Sequence, residues 1–164
     1  VDAKILLVLF LRRERQFADS LAVARGLIAS HPKNVLMALE EGNLLRELGR
    51  NDEAAAAYRK VYQAGRDGRY GDLHYEIAAY SLGDMLRDQK DYAGAAAAYE
   101  QVNQVPHASP DVLQESNLAA GEIYDRLQKR DLALKKYQAV IAQDGKSKFA
   151  ETASLYLKDP YKGE

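Results

Sequence analysis

The 164-residue sequence, 47% hydrophobic and 29% charged, has the composition of one globular domain and excludes a disordered chain. Its formal net charge of -1, with Lys and Arg interspersed among Asp and Glu, leaves no basic footprint for nucleic acid or an anionic membrane surface. Cysteine is absent, which removes disulfides, thiolate nucleophiles and cysteine-held zinc and leaves the compartment open.

The first predicted helix carries the apolar run ILLVLFL, residues 5–11. That run is far short of the ~20 residues needed to span a bilayer. It is apolar on nearly every side, so Leu6 and Phe10 are exposed unless preceding helices or self-association cover them. A start at Val1, without a basic leader or cleavage site, reads as a fragment or processed form of a longer chain. A second helix holds Ser20, Ala24 and Leu27 and closes on Pro32. Asn34 is placed to cap the third helix, which Gly49 ends; Asn51 or Asp52 then caps the fourth, which stops near Gly65.

Residues 65–75, GRDGRYGDLHY, form the longest interruption. Two readings fit them. They project as a contact loop, or Asp72 caps a first helix lengthened by a turn while Tyr75 packs on the preceding hairpin. Farther on, Ser109 followed by Pro110 is a helix start, because proline at the first helical position loses no hydrogen bond. Gly145 and Ser147 separate the last hairpin from a solitary helix that ends before Pro160. The expected sum is nine helices, four hairpins and one extra.

Three stretches echo one another: NDEAAAAYRK at 51–60, KDYAGAAAAYEQ at 90–101 and RDLALKKYQAV at 130–140. Aligned on Ala54, Ala95 and Ala133, they bring Gly42, Gly83 and Gly121 into register twelve residues earlier and Tyr58, Tyr99 and Tyr137 four residues later. Leu45, Leu86 and Tyr124 fall into line, as do Val61, Val102 and Val140. The N-terminal segment fits with Val8, Leu11, Ser20, Ala24 and Leu27, giving successive offsets of 34, 41 and 38 residues. Glycine inside a helix costs roughly 0.5–1 kcal/mol relative to alanine, so three in equivalent slots imply close approach of two antiparallel helices.

A unit of ~34 residues in the order small, large, small, aromatic resembles the tetratricopeptide repeat. Its best copy is NVLMALEEGNLLRELGRNDEAAAAYRKV, residues 34–61. The resemblance implies an all-α, right-handed superhelix of antiparallel hairpins over a single domain, 1–164. Repeats fall at about 1–34, 35–68, 72–109 and 110–146, and a helix at 147–158 caps the exposed end. It further implies a concave groove lined by first helices that binds a protein or peptide. Carried over residue by residue, the groove positions are Ile5, Leu39, Tyr80 and Leu118, then Leu9, Asn43, Asp84 and Glu122, then Arg12, Arg46, Arg87 and Asp125.

Three arginines in register can read the carboxylates of an acidic partner, with Tyr80 and the aliphatics holding a side chain between them. The competing reading pairs Arg12, Arg46 and Arg87 with Glu14, Glu47, Asp88 or the neighbouring hairpin. Glu41 stands where the other copies place Leu82 and Ala120; it is either a functional buried carboxylate or reaches water or an arginine through a slight helix rotation. No catalytic motif, metal site or cofactor is expected: His31, His74 and His107 lie near helix ends, and no glycine-rich phosphate loop or serine elbow is present. The sequence therefore points to a non-enzymatic interaction module, or alternatively to a structural or regulatory segment of a larger protein.

Overall fold

The computed structural model describes residues 2–71 and 73–163, so the expectation that Asp72 caps a helix lies outside the described residues. Among the described residues there are nine helices and no strands: α1 (Asp2–Arg13), α2 (Phe17–Ser30), α3 (Val35–Glu47), α4 (Asn51–Arg66), α5 (Glu76–Asp88), α6 (Tyr92–Val102), α7 (Pro110–Arg126), α8 (Arg130–Gln143) and α9 (Lys148–Lys158). The chain divides into two compact units, Val1–Ala78 and Ala79–Glu164.

One device turns the chain inside each hairpin. Two residues past the end of α1, α3, α5 and α7 stand Arg15, Gly49, Lys90 and Gln128, all with left-handed φ of 58–71°. The next amide in each case bonds back five residues: Gln16 to Leu11, Arg50 to Leu45, Asp91 to Leu86 and Lys129 to Tyr124, at 2.8–2.9 Å. This is a left-handed C-terminal cap, which satisfies carbonyls that the helix leaves open. It also fixes where the second helix starts. Hence Arg50 occupies the N-cap of α4, and the expected caps Asn51 and Asp52 become its first two helical residues. Asp52 and Glu53 there still favour the helix N-terminus electrostatically. Asn34 caps as expected, accepting from the Met37 amide at 3.1 Å, and Ser147 caps α9 by accepting from the Ala150 amide at 3.0 Å.

In the first unit, α1 and α2 form one hairpin and α3 and α4 the next, with α2 packed on α3. A Cβ added to Gly42 would lie 2.5 Å from the Tyr58 ring, so the glycine is required by the tyrosine lying across it. The α1–α2 hairpin solves the same packing with the sizes exchanged. Val8 and Ala24, both fully buried, occupy the slots of Gly42 and Tyr58, and the Ser20 hydroxyl donates to the Val8 carbonyl at 2.8 Å. Residues 65–71 turn through Gly68 and Gly71, both at positive φ. The Tyr75 ring covers Gly65 and lies 5.9 Å from the Tyr62 ring, centroid to centroid. Tyr75 thus packs on the preceding hairpin, whereas α5 gains no extra turn: like α3 it has 13 residues.

The second unit repeats the glycine–tyrosine contact twice. A Cβ on Gly83 would meet the Tyr99 ring at 2.6 Å, and one on Gly121 would strike the Tyr137 ring. Helix α9 covers α8: Ala150 and Ala153 join Ala133, Tyr137 and Val140 in one buried cluster, flanked by Phe149, Tyr156 and Leu157. The Gln114 side chain ties α7 to the end of α8 by donating to the carbonyls of Val140 and Asp144 at 2.9 and 3.1 Å.

Candidate interaction surfaces

The polar side chains singled out on the first helices are tied to the buried tyrosines of the second helices. In the last three repeats the phenol crosses the glycine and donates its hydroxyl to a residue on the first helix: Tyr58 to Asn43 Oδ1 at 2.8 Å, Tyr99 to Asp84 Oδ1 at 2.6 Å, Tyr137 to Asp125 Oδ2 at 2.9 Å. The fourth repeat uses Asp125 where the frame offers Glu122. Burial, reinforced by the carboxylate acceptor, pushes the Tyr99 and Tyr137 hydroxyls well above their ordinary range, so they remain donors.

In the first unit, Arg12, Asn43, Arg46 and Glu47 line an open cleft of about 400 Å³. Arg12 Nη1 and Asn43 Nδ2 each donate to Glu40 Oε2 at 3.1 Å. Glu40 is the buried carboxylate of α3, its Oε1 without a hydrogen-bond partner, while its neighbour Glu41 points to Arg25 Nε at 2.7 Å. A helix advances about 100° per residue, so the rotation that takes Glu41 out to Arg25 brings Glu40 in. Of the two readings of Glu41, the structure therefore gives the second, a carboxylate that reaches an arginine, while the buried Glu40 beside it was not singled out. Leu39, expected to line a groove, is 7% exposed and does not line this cleft. A second cleft in this unit, about 360 Å³, runs between Ile28, Ala38, Glu41, Val61 and Tyr70.

In the second unit, Tyr80, Arg87, Glu115, Leu118, Glu122 and Phe149 line a cleft of about 170 Å³. Of these, Glu115 and Phe149 were not foreseen. The Arg87 guanidinium lies 3.4 Å from Asp84 and 3.7 Å from Glu122, and its side chain is 39% exposed. Tyr80 packs 6.0 Å from Tyr99, ring to ring. Burial raises its hydroxyl far above the ordinary phenol value, with the Glu115 hydrogen bond adding to the effect. On the far side of the Arg87–Glu122 pair, a further cleft of about 170 Å³ is lined by Tyr92, Ile123, Arg126 and Tyr161. Asp125 is absent from both clefts: its side chain is 1% exposed, bonded to Arg130 as well as Tyr137. Tyr124, whose hydroxyl donates to Glu100 at 3.0 Å, is pushed up to about 12 by burial and that carboxylate.

Burial raises the Glu122 carboxyl above its ordinary value against the opposing pull of Arg87 and Arg126. Between the unfolded value and the raised folded one, the folded chain holds a proton that the unfolded chain has released. This group's contribution to stability therefore improves as pH falls through the folded value and is least favourable above it. Glu122→Gln is expected to remove that dependence. Urea midpoints of the two chains should converge at mildly acid pH and separate toward neutrality, with the variant no less stable; a variant clearly weaker at pH 7 would contradict this.

Among the described residues no group of His, Asp and Glu is arranged to hold a metal ion, and no helix is long and apolar enough to cross a membrane. Stacked antiparallel hairpins with one small residue facing one large residue define a helical-repeat protein. The family profile for the tetratricopeptide repeat matches residues 7–69 and 69–109, and the chain belongs to that family. Such a module is a scaffold for protein partners. Among solved structures it is similar to "MamA RS-1 ArsTM double mutant", with 18% identity, a TM-score of 0.65, and coverage of 98% of this chain and 86% of that one. It is likewise similar to "Crystal structure of MamA", with 18% identity, a TM-score of 0.60, and coverage of 90% and 88%. At that identity the likeness shows the fold, a tetratricopeptide-type helical solenoid. No curated protein matches the sequence.

Proposed function

We propose that this chain is a non-enzymatic interaction module that receives an extended peptide segment carrying carboxylates against the polar faces of its first helices. The observation that carries the reading is the state of Arg12 and Arg87. Each guanidinium is held from behind by a carboxylate, Glu40 or Glu122, yet 40% and 39% of the respective side chains face solvent. A guanidinium oriented in this way can bond a second carboxylate with little further loss of side-chain freedom. Asn43, Arg46 and Asp84 add polar partners, while Tyr80 and Leu118 provide an apolar wall for a side chain between the charges.

Selection from a random peptide library tests this unit by unit. The native chain is expected to enrich acidic sequences; Arg12→Glu with Arg46→Glu should abolish enrichment at the first unit, and Arg87→Glu at the second, with helicity unchanged. Enrichment of the same peptides by all the variants would overturn the assignment.

A second reading is favoured by α1, where Leu6 and Phe10 are 66% and 58% exposed. An apolar face of this kind is covered by self-association or by other helices. Under self-association the native chain is expected to sediment as more than a monomer at tens of micromolar, and Leu6→Glu with Phe10→Glu as a monomer. A native monomer at that concentration would exclude it.

A further inference from the structure

The residues after α9 leave the helix and cross the end of α7 within the second unit. The Tyr161 amide donates to Asp125 Oδ2 at 2.9 Å. The Tyr161 ring lies 5.4 Å from the Arg126 guanidinium and meets the Tyr156 ring edge-on at 5.3 Å. Gly163, at φ +72°, passes so close to Arg126 that a Cβ would strike the guanidinium. Lys162 bonds only within the segment, to Asp159 at 3.1 Å, and both side chains are largely exposed. The segment is thus held by one backbone amide and one phenol, whose hydroxyl is hydrogen-bonded with Arg126 and whose ring faces the same guanidinium, contacts that any extended chain with a suitably placed tyrosine can supply.

The surface beneath is built without the segment. Asp125 is fixed by Arg130 and Tyr137. Arg130 in turn donates to the carbonyls of Tyr156 and Leu157 at 2.7 and 3.0 Å. Arg126 lies over Tyr92 at 5.3 Å on its other side. Beyond Tyr161 the cleft continues along Ile123 to Arg87 and Glu122, so the segment fills only part of it.

We propose that the Asp125–Arg126–Tyr92 surface is a receptor for an extended segment bearing an aromatic ring, and that residues 159–163 are its resident in cis, a strap that such a partner displaces. The neighbouring Arg87 favours a carboxylate beside the ring. This rests on the reading of the second unit as a peptide-binding face. A short tether holds its own segment at an effective concentration of about 1 mM. A peptide of this length, with one phenol and one amide to offer, binds with a Kd on the order of 100 µM. The strap then occupies the site about nine-tenths of the time and weakens binding in trans about tenfold.

The test titrates a fluorescein-labelled synthetic heptapeptide, LKDPYKG, corresponding to residues 157–163, into the full chain and follows anisotropy. Tyr161→Ala is expected to bind it about tenfold more tightly than the native chain does. Adding Arg126→Ala should abolish that binding, as should alanine for tyrosine in the peptide. Replacing residues 160–163 by Gly and Ser, which leaves α9 and its packed side chains intact, should reproduce the gain and, with helicity unchanged, separates strap release from any loss of folding. If neither loosened chain binds better than the native one, or if Arg126→Ala leaves binding unchanged, the proposal is wrong. Should the native chain nevertheless select acidic peptides from the library, only the strap is lost; failure of both removes the peptide-binding reading as well.

Discussion

Valine in place of Gly83 is expected to destabilise the chain by about 3 kcal/mol, the upper end for overpacking a closed site. Its Cβ alone would lie 2.6 Å from the fully buried Tyr99 ring, which has nowhere to move without opening the α5–α6 hairpin. Alanine in place of Tyr99 should cost a similar 3–5 kcal/mol by leaving a cavity, and it removes the hydroxyl that Asp84 accepts. The informative chain carries both changes. It reproduces the Val8 and Ala24 pair of the first hairpin, where the bulk sits on the first helix and the small residue on the second. The double variant should therefore lose at least 2 kcal/mol less than the sum of the single losses. Urea unfolding of the four chains measures this directly; additive losses would mean that the two hairpins do not solve one packing problem in two ways.

The other large effect is expected at Asp125. Its buried carboxylate accepts from Arg130 Nη1 through both oxygens at 3.0 and 2.9 Å, from the Tyr137 hydroxyl and from the Tyr161 amide. Asp125→Ala leaves Arg130, the Tyr137 hydroxyl and that amide without this acceptor. The cost should be about 3 kcal/mol, at the low end for breaking a buried pair, because Arg130 is partly exposed and can turn to water. Asp125→Asn preserves shape and one acceptor and should fall between. A loss below about 1 kcal/mol for the alanine variant would show that Asp125 is not the anchor of this unit.

The repeat was legible because its two small slots and its tyrosine obey steric rules that leave few alternatives: no residue larger than glycine fits beneath Tyr58, Tyr99 or Tyr137. The turns were less legible. Gly49 announces its left-handed position, but Arg15, Lys90 and Gln128 adopt the same conformation without a glycine, so composition conceals a turn that recurs in every hairpin. For the same reason the start of α4 was placed one or two residues late. On the candidate surfaces, the frame located Arg12, Asn43, Asp84 and Arg87 because they follow the glycine or its counterpart at fixed steps. It allowed Glu41 its outlet to an arginine but did not single out Glu40, which the same rotation of the helix buries. Tyr92, Arg126 and Tyr161 were missed because Tyr161 lies beyond the repeating unit, where no periodicity predicts a contact.

The phenols that lie across Gly42 and Gly83 have one more consequence. Their hydroxyls end on Asn43 and Asp84, two of the residues proposed to meet a partner. The chain contains no tryptophan, so its intrinsic near-ultraviolet absorption and emission come chiefly from tyrosine. A ligand that draws Asn43 or Asp84 toward itself changes the hydrogen bond to the phenol behind it, and with it the chromophore's spectrum. The packing device that closes the α3–α4 and α5–α6 hairpins is in this way an optical probe wired to the outer face, able to register occupancy without a label.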